Sequence, residues 1–76
     1  MEELLYYMVK SIVTHPEAVH VEKVEGEKTI LLELTTAPQD RGIVIGKQRK
    51  TADSIRVILN ALGFKLKKRV KLEIAC

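Results

Sequence analysis

Apolar positions recur along this chain in two periods, and the changes of period divide it into six short elements. In residues 2–14, Leu4, Leu5, Met8, Val9, Ile12 and Val13 fall at i, i+1, i+4, i+5, i+8 and i+9, one stripe on a helix. Pro16 restricts His15 to extended backbone, so this helix is predicted to stop near Thr14. Residues 18–25 partly alternate, with Val19 and Val21 on one face, and Glu25-Gly26-Glu27-Lys28 reads as a turn. Residues 29–36 then place Ile30, Leu32 and Leu34 on one face and Leu31, Glu33 and Thr35 on the other. Pro38 to Ile45 reads as a short helix with proline in its first turn and Gly46 at its end. Residues 51–62 align Ala52, Ile55, Ile58, Leu59 and Leu62 at helical spacing, with Thr51 as N-cap and Gly63 as the stop. Residues 69–75 alternate, with Val70, Leu72 and Ile74 inward.

The order is α-β-β-α-α-β, an α+β domain in which three strands share an apolar face backed by three helices. The pattern leaves the place of the last strand open; beside the second strand it would form a parallel crossover. With 76 residues the chain has room for one core, so residues 1–76 read as a single domain. Apolar residues at 46% and charged residues at 30% exclude a disordered or collagen-like chain. The single cysteine, Cys76, makes no internal disulfide and suits a reducing compartment. The start MEELLYY carries acids where a secretory signal needs positive charge, and no apolar run approaches 18 residues. A small soluble domain of the cytoplasm is expected.

The formal charge of +3 conceals a strong asymmetry. Residues 1–40 hold eight acids against three lysines, a net −5, whereas residues 41–76 hold ten bases against Asp53 and Glu73, a net +8. Such a division suits one face for a polyanion and another that repels it; a merely solvated basic face is the alternative. The segment Ile43-Val44-Ile45-Gly46-Lys47-Gln48-Arg49-Lys50 decides between them. A helix end, a glycine and a new helix start bring free amides and a positive helix dipole together. Lys47, Arg49 and Lys50 add full charges, so the joint is suited to a backbone phosphate.

In these residues the chain resembles the KH domain of type II. More closely it resembles the KhpA (YlqC) family of short bacterial single-KH proteins. The resemblance runs over nearly the whole chain, through the acidic first helix, VEGEKT, APQDRGIVIGKQ, TADSIR and VKLEI. It implies a three-stranded mixed sheet packed on three helices and a clamp for about four nucleotides of single-stranded RNA at a GxxG loop. It also implies self-association, and pairing with a larger KH-containing protein (KhpB, also called Jag or EloR) in cell elongation, division and envelope growth. Here the loop reads GKQR, with Arg49 in place of the second glycine. An arginine there costs about 1–2 kcal/mol if it is left-handed. Its side chain either obstructs the phosphate path or grips the phosphate by bidentate hydrogen bonds.

The expected RNA contacts are Gly46, Lys47, Gln48, Arg49 and Lys50 in the loop, with Gly42, Ile43 and Ile45 before it. Gly42 has two readings, a floor for close approach of RNA or a site of tight helix packing. Core packing competes for at least one of Ile43 and Ile45. Arg56 lies one turn into the next helix, as a phosphate contact or a plain surface charge. Lys65, Lys67 and Lys68 lie in the loop that the resemblance makes the second rim of the groove. No catalytic constellation is visible: Ser11 and Ser54 lack a neighbouring base, and the acids form no recognisable pair. His15 and His20 have no partners at metal-ligand spacing, and no cofactor is expected. The strands carry no aromatic residue, which sets the chain apart from RRM domains. The two functional expectations are a non-catalytic RNA-binding module with RNA chaperone activity, and an interaction subunit in which Arg49 weakens or abolishes RNA binding.

Overall fold

The computed structural model describes residues 1–75 and follows the element order that the sequence pattern predicts. Cys76, whose thiol was the subject of the disulfide expectation, lies outside the described residues. Helix α1 spans Glu2–Lys10, β1 His20–Glu25, β2 Thr29–Thr35, α2 Arg41–Ile45, α3 Lys50–Lys65 and β3 Arg69–Ala75. Single 3-10 turns at Pro16–Ala18, Pro38–Asp40 and Lys47–Arg49 lead towards β1, α2 and α3. Strand β2 is central: it pairs antiparallel with β1 and parallel with β3, so the sheet is mixed and ordered β1-β2-β3. The parallel pairing sets Ile30 beside Val70 and Leu32 beside Leu72.

Alternation on β2 buries Ile30, Leu32 and Leu34 on one face, which all three helices cover. Leu5 and Val9 come from α1, Val44 from α2, and Ile55 and Leu59 from α3; with Val19, Val70 and Leu72 they make one core. Each such side chain contributes about 1.5–3 kcal/mol on burial. Because α2 enters this core through Val44, the joint between α2 and α3 is held against the sheet rather than left to swing. Asp40 adds a polar anchor. Fully buried, its carboxylate accepts hydrogen bonds from the Thr14 hydroxyl (2.6 Å) and from the amides of Thr14 (3.1 Å) and His15 (2.9 Å). These bonds, the Thr14 hydroxyl first, hold its carboxyl below the ordinary value against the opposing effect of burial. The chain after α1 is thereby tied to the entry of α2.

Several element ends differ from the sequence pattern. Helix α1 stops at Lys10 rather than near Thr14, because the Ser11 hydroxyl donates to the carbonyls of Met8 (2.7 Å) and Tyr7 (3.2 Å) and competes with the next turn. Neither Tyr6 nor Tyr7 enters the core. Helix α3 starts at Lys50, ahead of the expected cap Thr51, and continues past Gly63 to Lys65. Gly63 serves another purpose: a Cβ there would lie 2.5 Å from Val70 Cγ2 and 2.7 Å from the Lys68 carbonyl, so it makes room for the start of β3. The helix ends two residues later. The amide of Lys67 returns to the Phe64 carbonyl (3.1 Å) and that of Lys68 to the Gly63 carbonyl (2.9 Å), with Lys67 left-handed at φ 58°.

Candidate nucleic-acid interface

The joint between α2 and α3 is a sharp bend built from left-handed residues. Gly46 closes α2 with its amide on the Gly42 carbonyl (2.9 Å) and takes φ 77°. A side chain is excluded there twice over, by that φ and because a Cβ would fall on the Thr51 side chain, 2.8 Å from its amide nitrogen. Thr51, expected as a cap, instead packs against the bend. Gln48 (φ 56°) and Arg49 (φ 64°) follow in left-handed backbone, and one hydrogen bond, Arg49 amide to Gly46 carbonyl (3.1 Å), closes the turn. Among the described residues the amides of Lys47 and Gln48 enter no hydrogen bond of the bend.

The side chains of Lys47, Gln48, Arg49 and Lys50 are all exposed around these amides. Among the described residues no carboxylate forms an ion pair with Lys47, Arg49 or Lys50. On the α2 side, Gly42 is exposed and a Cβ built on it would meet nothing within 4 Å, so helix packing does not require a glycine there. Ile43 is 40% exposed and Ile45 partly covered, while Val44 between them is the residue the core takes. Gly42 and Ile43 are thus exposed on α2 just before the cationic bend, whereas Ile45 and Gly46 are partly covered.

The remaining expected contacts lie elsewhere. Arg56 donates to the Leu72 carbonyl (3.3 Å) and to Asp53 (3.4 Å), which covers the free edge of β3 and joins α3 to it. Lys65, Lys67 and Lys68 stand at the far end of α3, about 22 Å along its axis from the bend. Lys68 is in an ion pair with Glu25, and Lys68 followed by Lys23 holds the Glu25 carboxyl below its ordinary value. The two basic segments are therefore two separate cationic ends of one helix. Sequence reasoning passed over Phe64, which lies 84% exposed beside the second of them. Its signal was there to read: Val57, Ala61 and Phe64 share a helical phase that the core residues Ile55 and Leu59 do not. Among the described residues no group of three His, Cys, Asp or Glu side chains could hold a metal ion, and no helix is long and apolar enough to cross a membrane.

Comparison with known proteins gives this arrangement a place. The family described as "KhpA/KhpB, KH domain" matches residues 2–74. The protein named "RNA-binding protein KhpA" from Clostridium perfringens (strain 13 / Type A) is 47% identical over 74 residues, covering 97% of this chain and 99% of its own. Proteins of the same name from Caldanaerobacter subterraneus subsp. tengcongensis and Aquifex aeolicus are 45% and 42% identical over 74 residues. Each again covers 97% of this chain, with 99% and 94% of the relative. No solved structure matches the chain significantly. With its α-β-β-α-α-β order, its mixed sheet and a family match from the first helix to the last strand, this chain belongs to the KhpA/KhpB KH-domain family.

Proposed function

We propose that this chain is a non-catalytic module for single-stranded RNA that holds the phosphate backbone at the Gly46-Lys47-Gln48-Arg49 bend. The observation that carries the reading is the coincidence, at one exposed bend, of two uncommitted amides with three cations that no carboxylate neutralises. A phosphate oxygen takes the amides of Lys47 and Gln48, and Lys47, Arg49 and Lys50 supply charge. Gly42 and Ile43, exposed just before the bend, receive the sugar or base beside it. Relatives named as RNA-binding proteins support the choice of polyanion. Recognition of this kind rests on phosphates more than on base edges, so sequence discrimination is weak. A cytoplasmic RNA chaperone working with a larger KH protein accords with the resemblance in the sequence.

The test is an NMR titration with a short single-stranded RNA at low salt. Shifts are expected to cluster at residues 42–52, and the double substitution Lys47→Asp with Gln48→Asp abolishes them without altering the far-UV circular dichroism. An undisturbed bend would refute the reading. A second reading, an interaction subunit that pairs with a copy of itself or with the larger KH protein, is favoured by Val57 (69% exposed) and Ile58 (43% exposed) on the outer side of α3. Sedimentation over a concentration series, with and without RNA, separates a dimer from a lone binder.

A further inference from the structure

Phe64 is the only phenylalanine of the chain and the most exposed of its large apolar residues, at 84%. With Asn60, Lys67, Lys68 and Arg69 it lines an open cleft of about 550 Å3. The backbone behind this cleft is fixed. The paired hydrogen bonds that end α3 run from Lys67 back to Phe64 and from Lys68 back to Gly63, and the Arg69 amide is fixed on the Lys28 carbonyl (2.8 Å). Glu25 takes the charge of Lys68, which leaves Lys67 and Arg69 without a carboxylate partner among the described residues. An exposed aromatic ring framed by two unneutralised cations offers one surface to a flat π face and another to phosphate. Single-stranded nucleic acid carries both at every nucleotide. A second copy of the chain seated symmetrically on the same cleft would bring its lysines and arginine against their own equivalents, which favours the polyanion.

Lys50, Ser54, Val57, Ala61 and Phe64 follow one another at helical spacing of three or four residues, and all are exposed. Phe64 therefore lies on the same side of α3 as Lys50, the last cation of the bend, about 21 Å further along. At about 3.4 Å per stacked nucleotide that distance corresponds to about six nucleotides. We propose that this cleft is a second subsite for the same RNA strand, where a base stacks on the Phe64 ring and Lys67 and Arg69 hold the flanking phosphates. The proposal rests on the reading that the bend between α2 and α3 binds RNA.

The experiment compares oligoadenylates of about four and about twelve nucleotides by fluorescence anisotropy, lengths that reach the bend alone or both subsites. Phe64→Ala, a change at an exposed position that circular dichroism should report as folded, weakens binding of the longer oligonucleotide about 5- to 100-fold and leaves the shorter one unchanged. Phe64→Tyr restores it, and the longer oligonucleotide alone moves the Phe64 ring protons upfield. If Phe64→Ala binds both lengths like the parent while Lys47→Asp with Gln48→Asp abolishes binding, the second subsite is overturned and the bend stands. If the parent protein binds neither length, both fall. If Phe64→Ala changes only sedimentation, the ring is a contact between copies and the subsite is overturned.

Discussion

Arg49 holds a left-handed conformation that costs an L-residue about 1–2 kcal/mol, while glycine would carry an entropic penalty of about 0.5–1 kcal/mol. Arg49→Gly is therefore expected to stabilise the domain by roughly 0.5–1 kcal/mol, read as a rise of about 2–8 °C in Tm. The same change removes one cation from the bend. If the guanidinium grips phosphate, affinity at low salt falls and the slope of log K against log salt becomes shallower by about 0.7; tighter binding would show that the side chain obstructs the strand. Backbone strain often persists where it serves a binding site, and Arg49→Gly separates its cost at this bend from any use in holding phosphate. Asp40 works in the opposite sense, as a satisfied buried charge. Its folded carboxyl sits below the ordinary value of 3.8, so its contribution is complete above that pH and is lost as pH falls further, through the folded value. Asp40→Asn should lower the urea midpoint at pH 7 and flatten its fall below pH 4; an unchanged acid profile would show that the tie to Thr14 and His15 carries no such charge dependence.

Across the uncovered face of the sheet, Glu22, Glu33 and Glu73 stand in register on β1, β2 and β3. Like charges directly opposite are unfavourable, and the central one meets both others. Glu33→Lys converts two repulsions into two attractions and should stabilise by about 0.2–1 kcal/mol, visible as a higher urea midpoint that salt diminishes. The pairing behind this prediction shows where sequence reading reached and where it stopped. Alternation named Ile30, Leu32 and Leu34 as the buried face, because burial on one side imposes a period that nothing else on a strand produces. Helix ends were less legible. Gly63 has the signature of a stop, yet its reason is the approach of Val70 and the Lys68 carbonyl from β3, a contact that sequence distance conceals. Nor does anything in the identities of Gln48, Arg49 and Lys67 announce left-handed backbone; the hydrogen bonds of the bend and of the α3 terminus impose it. The bend itself was legible as a place, from Gly46 and the bases around it. The separation of the two basic segments along α3 required the fold.

Over the whole molecule, charge and partnership divide together. The acids of the N-terminal half are partly committed, Glu2 and Glu25 to Lys23 and Glu25 also to Lys68, whereas the bases at the bend have no carboxylate partner among the described residues. An ion pair already made inside the protein releases no counterion when RNA arrives, so only the uncommitted cations count towards the salt dependence of binding. Three phosphates neutralised at the bend by Lys47, Arg49 and Lys50 give a slope of about −2 in log K against log salt, a loss of roughly 15- to 20-fold between 50 and 200 mM. Breaking the Lys68–Glu25 pair by Glu25→Gln frees a further cation at the far end of α3, about 22 Å from the bend. For an oligonucleotide long enough to reach that end the slope should steepen by about 0.7, while a tetranucleotide confined to the bend should show no change. Isothermal titration over a salt series measures both. A slope near zero for the parent protein would mean that the positive half of this chain meets solvent rather than phosphate, and equal slopes for the two lengths after Glu25→Gln would confine the electrostatic contact to the bend between α2 and α3.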